Sequence, residues 1–165
     1  MIEIVPLGTV GPAAVEALLD RAFGTDRHAR TAYRVRGDAR AIPALSFAAV
    51  EDEALVGSVQ CWPVRFTGDD GAAAALVMVG PVAVAPERQL GGLGRRLMGT
   101  ALAAAERDGV IERLMLIGDP EYYARFFAFT PERTVRWRLP GPVEPRRLLS
   151  RGAEVPDGAG ELGPA

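Results

Sequence analysis

Apolar and polar positions alternate at the start of the chain, in IEIVPL, where Ile2, Ile4 and Pro6 interleave with Glu3 and Val5. That period of two predicts a strand. The period then lengthens. In GPAAVEALLDRAFG, Val15, Leu18, Leu19, Ala22 and Phe23 share one helical face, Pro12 suits a first turn and Gly24 a stop. RHARTAYRVRGD reads as a second helix closed by Gly37, its four arginines set around Tyr33 and Val35. LSFAAVEDEALVGSVQCWPVRF reads as a hairpin about the acidic turn EDEA, with Gly57 marking a bulge or a close approach. After a turn at DDG, residues 74–84 form a long apolar strand broken by Gly80-Pro81. A proline there removes a ladder donor and calls for a bulge or a splay.

From about residue 92 to 108 helical spacing returns, with Leu93, Leu97, Ala101 and Ala104 on one face, and Gly109 ends the run. IERLMLIG predicts a buried strand, DPEYYARFF a short helix opened by Pro120, and TVRWRL a final strand. The order β-α-α-β-β-β-α-β-α-β predicts an α/β or α+β fold, one sheet with helices on both faces. Residues 1–149 are expected to form the single domain and 150–165, rich in Pro and Gly, an irregular tail.

Composition changes this picture little. The 165 residues suffice for one core, and 48% hydrophobic with 24% charged residues is ordinary for a globular chain. A net charge of −2 argues against a nucleic-acid partner. One cysteine, Cys61, excludes an internal disulfide and reads as a buried small hydrophobe. No signal peptide or membrane-length apolar run is visible, so the expectation is a cytoplasmic protein without a membrane partner.

The chemistry concentrates in VAVAPERQLGGLGRRLM, where a strand passes through a Gly-rich turn into a helix. A helix start presents unpaired N–H groups and the positive end of the dipole, a site for an anion. Gly91, Gly92 and Gly94 remove the Cβ atoms that would hold a ligand off, and Arg88, Arg95 and Arg96 add positive charge suited to phosphate. The alternative is that these glycines only make a tight turn and a close helix–sheet contact. A Walker loop needs a lysine that is absent here, and a dinucleotide fingerprint needs a third glycine where Leu97 stands.

The segment resembles motif A of the GNAT superfamily of acetyl-CoA-dependent N-acetyltransferases, Gln/Arg-x-x-Gly-x-Gly/Ala, matched by Gln89, Gly92 and Gly94 after Val82-Ala83-Val84. LLDRAFG, VGSVQCWPV, IERLMLIGDPEYYARF and LPGP look like one bacterial subgroup of it. The resemblance implies a mixed, mostly antiparallel sheet splayed at the fourth strand. It implies that the backbone at Val82, Ala83 and Val84 pairs with the pantetheine arm of acetyl-CoA. Amides of the segment from Gln89 through Gly91, Gly92, Leu93 and Gly94 to Arg95 would cradle the pyrophosphate. It also implies that Tyr123, in Tyr122-Tyr123-Ala124-Arg125-Phe126, is the general acid. The family's next residues, Gly-Phe, are replaced by Phe127-Ala128-Phe129, through a lost glycine or an inserted residue.

The general base stays unassigned. Residues 75–80 carry no carboxylate, where relatives often place a glutamate; Glu51, Asp52, Glu53 and Asp119 read as turn residues, Asp119 also as a helix cap. His28, the only histidine, lies in the Arg-rich second helix and reads more readily as an inert surface group than as a base. No spacing suggests a metal. The implied function is acetyl transfer to a primary amine of a small molecule or peptide by direct attack. The alternative is a non-catalytic acyl-CoA-binding module. A homodimer is compatible with the resemblance.

Overall fold

In a computed structural model, which describes residues 1–165, the N-terminal alternation folds as β1 (Ile2–Pro6), followed by α1 (Pro12–Phe23), with Val15, Leu18 and Leu19 buried. Pro12 opens α1 and Gly24 caps it. The acidic hairpin is present as β2 (Phe47–Glu51) and β3 (Ala54–Gly68), joined where Asp52 and Glu53 both take positive φ, 50° and 66°. Two such residues give the turn a twist that matches its strands. β4 (Ala73–Val84), α3 (Leu93–Arg107), β5 (Leu114–Ile117) and α4 (Pro120–Phe127) follow as expected.

The strands form one mixed, mostly antiparallel sheet, with β4 between β3 and β5. β4 runs parallel to β5, and the two pair only at Val77–Leu114 and Met78–Met115. That ladder stops just short of the cis Gly80-Pro81 bond, where the sequence called for a splay. No helix is long and apolar enough to cross a membrane.

The residues group into two compact units, and β3 and β4 contribute to both. The first holds Met1–His28, Ala41–Cys61 and Gly80–Arg107. Here β1 pairs with β2 and β2 with β3, and a register shift leaves Val56 without a β2 partner between Leu55 and Gly57, a bulge at the expected place. Gly57 is also a close approach, since a Cβ there would lie 2.9 Å from Leu97 and 3.1 Å from Leu93. The predicted face of α3 is the buried one: Leu93, Leu97, Met98, Ala101, Ala104 and Ala105. Arg27 is almost wholly buried, held by Glu16 at 2.8 Å and Asp20 at 3.0 Å.

Cys61 is buried on β3, and its N–H donates to Ser46 Oγ at 3.1 Å. Burial pushes its thiol from 9.0 up to about 12. Folded protein should therefore leave a thiol reagent unreacted at pH 8, and one thiol should appear on unfolding. The contribution to stability is full below pH 9 and is lost as pH rises towards 12, because only the unfolded chain then releases the proton.

The second unit holds Ala29–Arg40, Trp62–Val79 and Asp108–Ala165, and three expectations are corrected in this part of the chain. The single helix over RHARTAYRVRGD is instead a short 3-10 turn, Arg27–Ala29, followed by α2, Thr31–Arg36. The buried pairing of Arg27 ties down the turn, while Thr31 Oγ1 and Arg34 anchor α2 to the carbonyls of Pro142 and Pro140. TVRWRL is not the last strand, and only β6 (Trp137–Arg138) forms there. The expected irregular tail is ordered: β7 (Leu148–Arg151) pairs with β5, and β8 (Gly160–Pro164) pairs with both β3 and β6.

Candidate active site

The Gly-rich turn belongs to the first unit. β4 ends with Val82 and Val84 half-buried and Ala83 fully buried, and Ala85 N–H then donates to Val56 at 2.8 Å. After a 3-10 turn over Pro86–Arg88, residues 89–92 form the turn proper, with Gln89, Gly91 and Gly92 exposed. Gly92 has φ +74°, a conformation that favours glycine, and a Cβ built on it meets nothing within 4 Å. At Gly91 the nearest atom is the Arg88 carbonyl at 3.9 Å. Close packing therefore explains neither glycine. The space beside both is open.

α3 closes its first turn with Arg96 N–H donating to Gly92 C=O at 3.2 Å. The N–H groups of Leu93 and Gly94 lie ahead of that bond and have no carbonyl of their own helix to reach. The Leu93 side chain packs inward near Gly57, so this residue serves the turn through its main chain. Gly94 is half-buried and Arg95 exposed. The donor set and the open glycine edge suit a pyrophosphate.

Two ion pairs hold the segment before the turn. Arg21 of α1 grips both oxygens of Glu87, at 3.0 and 2.8 Å, and Glu87 is held below the usual carboxylate range by a main-chain hydrogen bond and by Arg21. Arg88 Nε donates to Glu51 at 2.8 Å. The positive charge of Arg88 is thus already paired, and Glu51 is its partner as well as a turn residue. Arg96 reaches the Ile2 carbonyl at 3.4 Å. Exposed pairs like these add little stability, and their use is to fix the turn's direction. Nothing in the local sequence links Glu51 to Arg88, since strand and turn meet only in the fold.

Tyr123 lies in the second unit, on α4, a helix capped by Asp119, which accepts from Glu121 N–H at 3.1 Å as its place before Pro120 suggests. The half-buried ring stacks edge-on against Tyr122 at 4.9 Å and lies 6.4 Å from the fully buried Phe129. Burial, then Tyr122, raises its phenol to about 12; Arg147 acts in the opposite sense and Asp119 with the raise. Tyr123 is therefore a neutral O–H donor throughout the physiological range.

The helix runs through Phe127, and Ala128 takes the left-handed position at φ 61°, ψ 29°. Phe129 then turns into the core, and Arg151 donates to the Phe127 carbonyl at 2.9 Å. A side chain in the left-handed conformation costs about 1–2 kcal/mol. Glycine there offsets part of the gain by its greater freedom in the unfolded chain. Ala128→Gly should therefore stabilise the protein by roughly 0.5–1 kcal/mol. Thermal unfolding should show a melting point higher by about 1–4 °C.

His28 is exposed, its Nε2 4.0 Å from Glu16. No group of three or more His, Cys, Asp or Glu is placed to hold a metal ion.

Residues 12–129 match the family model described as "Acetyltransferase (GNAT) family". Among solved structures, the chain is similar to a GNAT family N-acetyltransferase from Escherichia coli in complex with CoA (23% identity, 98% of this chain and 88% of that one, TM-score 0.68). It is also similar to a GNAT family acetyltransferase from Brucella melitensis in complex with acetyl-CoA (24% identity, 93% and 97%, TM-score 0.58). A third likeness is to the ribosomal-protein-S18-alanine N-acetyltransferase from Escherichia coli (21% identity, 91% and 90%, TM-score 0.56). These likenesses show the fold. No curated protein matches the chain.

Proposed function

Since the chain belongs to the GNAT acetyltransferase family, we propose that it transfers an acetyl group from acetyl-CoA to a primary amine of a small molecule or peptide. The observation that carries this reading is the open turn at Gly91 and Gly92, set against the first N–H groups of α3. Those groups would hold the pyrophosphate, and the end of β4 at Val82, Ala83 and Val84 would offer main-chain partners to the pantetheine arm. Acetyl-CoA supplies an activated thioester. The amine nitrogen attacks its carbonyl carbon, the C–N bond forms and the C–S bond breaks. Tyr123 delivers a proton to the departing sulfur and regains one from solvent, where the proton lost by the amine also goes. An amine that arrives neutral needs no enzyme base for the attack.

A second reading, a module that binds acyl-CoA without turnover, is favoured by one feature: β4, Ala73–Val84, carries no carboxylate. Isothermal titration with acetyl-CoA, followed by thiol release against a panel of amines, separates the two. Micromolar binding with thiol release supports the enzyme. Binding without release supports the module, and no binding removes both.

A further inference from the structure

The main chain seats one uncompensated cation beside Tyr123. The Tyr123 ring lies against Gly118, so close that a Cβ on Gly118 would fall 2.5 Å from Tyr123 Cε2. The N–H of that same Gly118 donates to the Arg147 carbonyl at 2.9 Å, continuing the β5–β7 ladder that pairs Ile117 with Leu148. The Arg147 main chain is thereby fixed one hydrogen bond from Gly118, the residue the Tyr123 ring packs against.

Two acidic groups near Tyr123 are already engaged. Glu121, on the first turn of α4, is bound by Arg146, the immediate neighbour of Arg147. Asp119 is engaged as the cap of α4. The Arg147 guanidinium is exposed and has no ion-pair or hydrogen-bond partner. Among the groups that act on the phenol, it is the one that draws the proton affinity down.

We propose that Arg147 binds a carboxylate on the acceptor, so that the preferred substrates are amines carrying a carboxylate a few bonds from the nitrogen. A guanidinium presents a planar pair of donors that matches a carboxylate two-pronged. A single arginine balances one negative charge, which fits a carboxylate better than a phosphate dianion. The inference rests on the reading of Tyr123 as the acid, since only then does the reacting amine come to this side of the chain.

The test compares thiol release from acetyl-CoA with 4-aminobutyrate and with 4-aminobutyramide, whose amines are similar and whose far ends differ in charge. Wild-type protein should favour the carboxylate by tenfold or more in kcat/KM. Arg147→Gln should bring the ratio near one, and Arg147→Lys should restore part of it. An acetyl-CoA Kd unchanged in both variants shows that they are folded. An equal or reversed preference in the wild type, or a preference that survives Arg147→Gln, overturns the assignment of Arg147 and leaves the transferase reading standing. Thiol release with neither amine counts against both, and absent acetyl-CoA binding locates the failure in the transferase reading itself.

Discussion

Gly92→Glu should weaken acetyl-CoA binding about a hundredfold or more, a loss of roughly 2.7 kcal/mol, read by isothermal titration. The reason is electrostatic and steric together. Position 92 opens on the space ahead of the first turn of α3, with nothing within 4 Å of a Cβ, so a glutamate would extend freely into it. A carboxylate there competes for the same N–H groups that would receive a pyrophosphate, and repels it. Because Gly92 also has φ +74°, any side chain adds backbone strain. Two companions separate the causes. Gly91→Glu brings the charge to a position without that strain, and should weaken binding too. Gly92→Asn brings a residue that tolerates left-handed backbone and no charge, and should retain most of the affinity. If Gly92→Glu binds acetyl-CoA like the wild type, the turn is only a turn.

That turn was legible because everything it needs is local. Strand, glycines and helix follow one another within about a dozen residues, and the apolar spacing of α3 places its buried face without any knowledge of what it packs on. α1 and the acidic hairpin were readable for the same reason. β6 and β8 were not. Trp137–Arg138 is two residues long, and Gly160–Pro164 is rich in residues that local propensity counts against a strand. β8 exists because Val64 to Gly68 offer it an antiparallel edge a hundred positions away in sequence, and Trp137 packs its ring on Phe66 at 4.8 Å. The charged residues divide in the same way. Asp119 could be named as a cap from the proline beside it. The pairing of Arg88 with Glu51 and the place of Arg147 near Tyr123 depend on which segments the fold brings together.

Tyr123→Phe should lower kcat about a hundredfold, the lower range for loss of a positioned proton donor, while the KM for acetyl-CoA stays close to that of the wild type. The substitution removes one oxygen and keeps the ring that packs on Gly118, Tyr122 and Phe129, so the fold should be preserved. The rate lost would then report the proton alone. A pH profile adds an independent constraint. With its phenol raised from 10.0 to about 12, Tyr123 stays protonated as pH climbs through 8, 9 and 10. Wild-type kcat/KM should therefore rise with pH as the acceptor amine becomes neutral, then level off, with no alkaline fall from Tyr123 until pH approaches 12. An ordinary tyrosine would already be half ionised near pH 10. In Tyr123→Phe the same rise should persist at a lower level, because the amine still has to lose its proton. A variant as fast as the wild type would return Tyr123 to the aromatic packing of α4 and leave the departing sulfur to take its proton from solvent.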